Sequence, residues 1–116
     1  MPVLTFCGLP EITDPVELEE FSATLAKIIA YRVPELRIKA SDISIYFPHD
    51  LSMKSGKEII IFVDGLVDKP ERTEEVRKKM AEVIAETTSA AFPKANLVEC
   101  FIRPFNPEQG FHSWRK

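Results

Sequence analysis

The sequence predicts an α/β (α+β) fold, a tandem βαβ repeat whose four-stranded mixed sheet carries both helices on one face. Two observations predict it. The order strand, helix, strand occurs twice along the 116 residues, and prolines separate most of the elements. Because βαβ crossovers are right-handed in nearly every case, two such units side by side place their helices on the same face. We interpret residues 1–116 as a single domain with internal repeats at about 1–57 and 58–116.

The first half begins with a short strand, predicted over about residues 2–7, and continues with a helix. Asp14 followed by Pro15 and Glu17 is a helix start, with an Asp N-cap and proline at the first position. The helix is expected to end near Arg32, since Pro34 prevents its continuation. Its inner face is predicted from apolar residues at spacings of three and four: Leu18, Phe21, Leu25 and Ile28.

A second strand is predicted before Pro48, and the second half then repeats the pattern. Residues 59–63 are continuously apolar, which is typical of a strand buried on both faces. Pro70 is predicted to open a long helix that Pro93 closes, and a last strand covers about residues 97–103. The sets that should face the core are Ile43, Ile45 and Phe47 in the second strand, and Val76, Met80, Val83 and Ile84, continued by Thr87 and Ala91, in the second helix.

The two halves align at a shift of 56 residues, which pairs Phe6 with Phe62 and Pro48 with Pro104. In the last strand this shift would bury Glu99 and Arg103, which is costly without partners. We therefore prefer a one-residue slip there. The slip turns Val98, Cys100 and Ile102 toward the core, and Glu99, Phe101 and Arg103 toward the uncovered sheet face.

Composition excludes several classes of function. The net charge of −3 gives no basic footprint for nucleic acid. No apolar run approaches the roughly 20 residues that span a bilayer, and no signal peptide is apparent, so we expect no membrane partner and a cytoplasmic location. Cys7 and Cys100 are expected to be reduced thiols. No cofactor is indicated, and His49 and His112 lack a nearby acidic or thiol cluster that would favour a metal.

Pro2 is the candidate catalytic residue. If Met1 is removed, the nitrogen of Pro2 becomes a free secondary amine at the head of a buried strand. Burial disfavours the charged form of an amine, so a modest fall from a reference pKa of about 8 gives a general base near neutral pH.

A proline after the initiator and a tandem βαβ repeat together resemble the tautomerase superfamily, which includes 4-oxalocrotonate tautomerase and macrophage migration inhibitory factor. Residues 1–6, 58–62 and 100–105 look closest to an uncharacterised bacterial and archaeal branch. The resemblance implies a homotrimer with bare sheet faces around a central barrel and active sites between subunits. It also implies that Pro2 moves a proton within a keto–enol pair, on a small-molecule substrate that carries a carboxylate.

The sequence departs from that family where its substrate arginines are usual, after the first strand and early in the second strand of each unit. Arg103 is our best substitute as carboxylate binder, and an inter-subunit ion pair with Glu99 or another acid is an equal alternative. Lys39 is the next cation. Phe101 faces the same side as Arg103, and Phe111 falls near the position of an apolar wall residue in the family.

Two other functions stay open at this point. One is a non-enzymatic homotrimer of the same fold, serving in binding or structure with a vestigial Pro2; the missing arginines favour it. The other is a ferredoxin-like ligand-binding or regulatory domain, since that fold also contains two βαβ-type units.

Overall fold

Four strands form one mixed sheet in the computed structural model, which describes residues 1–10, 14–48 and 56–116. The strands are β1 (Val3–Cys7), β2 (Ser44–Tyr46), β3 (Glu58–Asp64) and β4 (Leu97–Ile102), in the spatial order β2-β1-β3-β4. β1 is parallel to β2 and β3 is parallel to β4, while β1 and β3 are antiparallel in the centre. The predicted fold class is confirmed.

Two helices connect the parallel pairs, α1 (Pro15–Arg32) and α2 (Glu74–Ala91). The Asp14 carboxylate accepts a hydrogen bond from the Val16 N–H at 2.9 Å, so the predicted start of α1 is confirmed. The prediction that Pro70 opens α2 is wrong. The N-cap is Thr73, whose hydroxyl accepts from the N–H of the third helical residue at 3.2 Å and so satisfies a donor that the helix leaves unpaired.

Both helices pack on the same sheet face and enclose the core with it. The fully buried Phe6 of β1 packs against Phe21 of α1 and Phe47 after β2. The predicted inner face of α2 is confirmed, although it continues through Thr88 and not through Ala91, which is exposed. The buried core residues of the helices are Leu25, Ala26 and Ile29 from α1 and Val76, Met80, Val83 and Ile84 from α2.

The described residues leave the opposite sheet face uncovered. Along β3, alternate residues (Ile59, Ile61 and Val63) are fully buried, while Ile60 and Phe62 between them are only half-buried. The prediction that β3 is buried on both faces is therefore not met by one copy of the chain. Phe62 stacks on the Phe101 ring of β4 on this face, with ring centroids 5.6 Å apart.

The residue correspondence at a constant shift of 56 is also wrong, because Phe6 lies in the core and Phe62 lies on the uncovered face. The one-residue slip preferred for the last strand is confirmed. Val98, Cys100 and Ile102 pack against the core, whereas Phe101 is exposed. In the described part of the chain, neither helix has the length and apolar character needed to cross a membrane.

Candidate active site

A cleft of about 700 Å³ opens at one end of the sheet, where β1 begins and where β3 and β4 end. The register produces this arrangement. Val3 pairs with Asp64 across the antiparallel strands, and Val63 pairs with Ile102 across the parallel ones. The N-terminal segment therefore meets the segments that follow β3 and β4. Apolar walls come from Met1, Val3, Phe105 and Phe111, and the charged groups of the lining are Asp64, Arg103 and Arg115.

Pro2 is buried at the head of β1, between two residues that line the cleft, Met1 and Val3. Its carbonyl accepts a hydrogen bond from the Ser44 N–H at 3.0 Å, which extends the pairing of β1 with β2 to the start of the chain. This bond fixes the backbone of Pro2 beside the cleft, whose lining includes Met1 and Val3 but not Pro2 itself. With Met1 in place, the Pro2 nitrogen is an amide nitrogen.

Gly65 brings the connection after β3 against this N-terminal segment. Its φ of +77° lies in the left-handed region that favours glycine. A Cβ built at this position would lie 2.5 Å from the Met1 carbonyl oxygen and 3.7 Å from the Pro2 Cα. Only a residue without a side chain fits so close an approach.

Arg103 follows β4 and projects along the uncovered face. Its Nη2 donates to the Asp64 Oδ2 at 2.7 Å, and its Cζ lies 4.6 Å from the centroid of the Phe62 ring. The hydrogen bond to the Asp64 carboxylate raises the pKa of Arg103, so the guanidinium is cationic at every ordinary pH. Within one chain the ion-pair partner of Arg103 is thus Asp64 and not Glu99.

The other predicted substrate contacts divide into two groups. Phe111 packs edge-on against Phe105, with centroids 5.5 Å apart, and both rings line the cleft with Arg103. Phe101 lies on the uncovered face and borders a separate depression beside α2. Lys39 is exposed, and its backbone N–H donates to Asp42 at 2.8 Å; it does not line the cleft.

Two charged lining residues, Asp64 and Arg115, are not predicted by the sequence analysis. Asp64 could have been found, because alternation inward at Ile61 and Val63 turns Asp64 to the face of Arg103. We treated β3 as buried on both faces, so its alternation carried no information. Arg115 has no local signal, since it lies in an irregular tail and reaches the Met1 Sδ at 3.8 Å only through the fold.

The described residues hold no cluster of three or more histidine, cysteine or acidic side chains that could bind a metal. His112 is exposed, and His49 lies outside the described residues. Both cysteines are free thiols. Burial raises the pKa of Cys100 to about 12, which leaves it protonated and a poor nucleophile.

Comparison with solved structures gives consistent matches over nearly the whole chain. An asymmetric trimer of wild-type fused 4-OT (F6) has a TM-score of 0.68 at 13% identity, covering 91% of this chain and 88% of its own. A structure of Pt0534 inactivated by 2-oxo-3-pentynoate has a TM-score of 0.62 at 13% identity, covering 88% and 86%. A domain of unknown function (DUF1904) from Sebaldella termitidis has 0.64 at 17% identity, covering 97% and 95%.

No family model matches the chain, and no curated protein matches its sequence. The likeness is therefore one of structure, at low identity, and it covers 88–97% of this chain. The chain has the fold of the tautomerase superfamily.

Proposed function

We propose that this chain is a tautomerase-like isomerase of a small carboxylate-bearing keto or enol substrate. The general base is the Pro2 amine, freed by removal of Met1. The observation that carries the proposal is the cleft itself: one end of the sheet collects the N-terminal segment, the exposed cation of Arg103 and the apolar wall of Phe105 and Phe111.

The chemistry follows from these parts. The neutral Pro2 nitrogen takes a proton from the carbon next to the substrate carbonyl, and the C–H electron pair forms the carbon–carbon double bond of an enolate. The proton then returns to the enolate oxygen or to another carbon. Arg103 binds the substrate carboxylate, as guanidinium groups do in charge-assisted pairs. The Ser44 hydroxyl is available in the lining to donate to the enolate oxygen.

Homotrimer formation is part of the proposal. Tyr46, Leu97 and Phe101 are large, exposed and on strands of the uncovered sheet. Such a surface requires a partner, and further copies of the chain are the simplest one. Two fused 4-OT neighbours are named as trimers. Sedimentation velocity across a concentration series tests this, with a trimer expected and a persistent monomer contrary to it.

Turnover of phenylpyruvate between keto and enol forms tests the base. The control variant carries one alanine inserted between Met1 and Pro2. After removal of Met1 this alanine still precedes Pro2, so the Pro2 nitrogen stays an amide, as it is with Met1 in the structure. Loss of a positioned general base costs roughly 10²–10⁴-fold, so we expect at least a hundredfold loss of kcat/KM in this variant. Equal rates for the wild type, the insertion variant and Pro2→Ala would refute catalysis by Pro2.

Intact mass must first establish that Met1 is absent from the wild-type preparation. Covalent labelling then tests the same amine without turnover. 2-Oxo-3-pentynoate, the inactivator named for the Pt0534 structure, is a conjugated alkynyl ketone. The amine adds to its triple bond and the displaced proton moves to carbon, so the adduct gains the mass of the whole reagent. We expect the label on the Pro2 peptide, and none there in the insertion variant. Peptide mapping separates this product from thiol adducts at Cys7 and Cys100.

A second candidate function is a non-enzymatic binding or structural homotrimer of the same fold. The ion pair between Arg103 and Asp64 favours it, because the cation already has a carboxylate partner at 2.7 Å. Under this alternative the chain trimerises, yet the Pro2 amine shows neither turnover nor selective labelling.

A further inference from the structure

The cleft is lined by more positively charged side chains than negatively charged ones. Its lining holds one carboxylate, Asp64, and two guanidinium groups, Arg103 and Arg115. The Pro2 amine adds no charge in the neutral form that a general base requires. The cleft therefore has one uncompensated positive charge, which one carboxylate of a ligand neutralises.

Asp64 and Phe62 together fix the orientation of Arg103. Asp64 takes one hydrogen bond from Nη2, and the guanidinium plane lies above the Phe62 ring. A guanidinium has five N–H donors in a rigid fork. Within the described part of the chain its side chain makes that single hydrogen bond, and the side chain is 56% exposed. Donors thus remain for one further carboxylate, which would lie close to Asp64.

The rest of the lining is suited to an uncharged, apolar group. Once Met1 is removed, Val3, Phe105 and Phe111 contribute side chains that offer no ionic partner, and the rings of Phe105 and Phe111 pack edge-on against each other. An aromatic or aliphatic remainder of a ligand would contact these side chains once its carboxylate reached Arg103.

We propose that Asp64 is a positioning residue that sets the substrate class of this cleft: monocarboxylates with an aromatic or apolar remainder bind, and dicarboxylates are discriminated against. The proposal rests on the proposed function, in that it takes this cleft as the substrate site. A second ligand carboxylate leaves the site with excess negative charge beside Asp64. Removal of the Asp64 charge frees Arg103 from its ion pair. The lining then offers two guanidinium charges, those of Arg103 and Arg115, to two ligand carboxylates, so the preference should reverse.

A matched pair of inert ligands tests this by equilibrium binding. Phenylacetate and 4-carboxyphenylacetate share one ring and differ by one carboxylate, and calorimetry gives a Kd for each. In the wild type we expect phenylacetate to bind more tightly. One unit charge about 4 Å away is worth roughly fivefold in affinity even at the dielectric constant of water, and more near a protein surface. Asp64→Asn should therefore shift the ratio of the two Kd values by at least about fivefold toward the dicarboxylate.

Two further variants separate the role of Asp64 from general charge and from folding. Glu82→Gln removes one exposed negative charge from α2, away from the cleft, and should leave the ratio unchanged. Asp64→Glu keeps the carboxylate and should keep the preference for phenylacetate. If Asp64 had only a structural role, its substitution would weaken the binding of both ligands alike and would leave the ratio of their Kd values unchanged.

The outcomes also separate this inference from the proposed isomerase. A ratio that shifts in Asp64→Asn alone supports the inference, even where phenylpyruvate is not turned over and the isomerase proposal fails. An unchanged ratio in Asp64→Asn overturns the inference, even in an active enzyme. A wild type that binds neither ligand, or that prefers the dicarboxylate, overturns it as well.

Discussion

The same four strands form both faces of the sheet, but one face is buried and the other is exposed. On the helix-covered face, Leu4, Phe6, Ile59 and Ile61 are fully buried by contacts within the chain. On the uncovered face, the Phe62–Phe101 stack remains open, and Phe101 is 46% exposed. Residues of the chain itself cover one face, whereas the part of the chain that the structure describes leaves the other, apolar face open.

The two faces differ in the contacts that they make. The covered face holds the helices through close-packed apolar contacts, which are sensitive to any lost volume. The uncovered face carries the ion pair of Arg103 with Asp64 and borders the cleft at one end. Substitutions on the two faces should therefore differ in kind: those on the first should unfold the chain, and those on the second should change what it binds.

Phe6→Ala against Phe101→Ala is the most direct test of that contrast. Phe6 is fully buried within a cluster that includes Phe21 and Phe47, so its truncation should cost about 3–5 kcal/mol of unfolding free energy. Phe101→Ala should cost about 1 kcal/mol in the isolated chain, the worth of an exposed aromatic pair. Urea unfolding at low protein concentration measures both, and comparable losses would remove the contrast.

Arg72→Met tests a buried charged side chain on the covered side, where most buried residues are apolar. Arg72 is only 7% exposed, and it donates from Nε and Nη2 to the Leu36 carbonyl at 3.3 and 3.0 Å and from Nη1 to the Val67 carbonyl at 2.9 Å. It therefore ties the segment after α1 to the segment after β3. Loss of a charged donor to buried carbonyls should cost about 2–3 kcal/mol by urea unfolding.

The matched control for Arg72 is Lys78→Met, an exposed cation on α2 whose replacement should change stability by no more than about 0.5 kcal/mol. Equal effects of the two substitutions would mean that water replaces the guanidinium at the Leu36 carbonyl.

Gly65→Ala tests the contact at the end of the sheet where the two faces meet. The new Cβ meets the Met1 carbonyl oxygen as well as an unfavourable φ, so we expect a loss of about 2 kcal/mol in thermal or urea unfolding. Gly110→Ala is the control, because its φ is +91° with nothing within 4 Å of the added Cβ, which leaves backbone strain of about 1 kcal/mol. The excess at Gly65 should vanish in protein that lacks Met1, as intact mass would verify.

Periodicity predicted the covered face well, because burial there is decided by local alternation. The stripe of α2 and the parity of β4 could both be read from apolar spacing, and Arg103 was assigned to the correct face for that reason. The start of α2 was mistaken because Pro70 is a strong break, while the N-cap is Thr73, which satisfies the first turn through its hydroxyl.

The site is harder to predict from the sequence than the core, because it depends on which strands pair and therefore on which strand ends lie side by side. Pro2 and Arg103 are predicted from their chemistry, and Phe111 from the family resemblance. The register brings Arg103 and Phe111 into one cleft, with Met1 and Val3 in its lining on either side of Pro2 in the sequence. Lys39 was named only for its charge and lies away from the cleft. Alternation along β3 places Asp64 on the same face as Arg103, but the position of Asp64 beside the N-terminal segment depends on the antiparallel pairing of β1 with β3.

The smallest expected effect concerns Cys100, the thiol of β4 that packs against the core. Burial raises its pKa from 9.0 to about 12, so the folded state favours the protonated form. The resulting stabilisation is complete below pH 9, where the unfolded thiol is also protonated. It is lost as pH rises from 9 toward 12, because only the unfolded chain then releases its proton.

Urea midpoints between pH 8 and pH 10.5 should therefore fall less steeply in Cys100→Ala than in the wild type. Cys7→Ala on the uncovered face, which leaves Cys100 in place, should keep the wild-type slope; equal slopes in all three proteins would show that the Cys100 thiol ionises as freely in the fold as outside it.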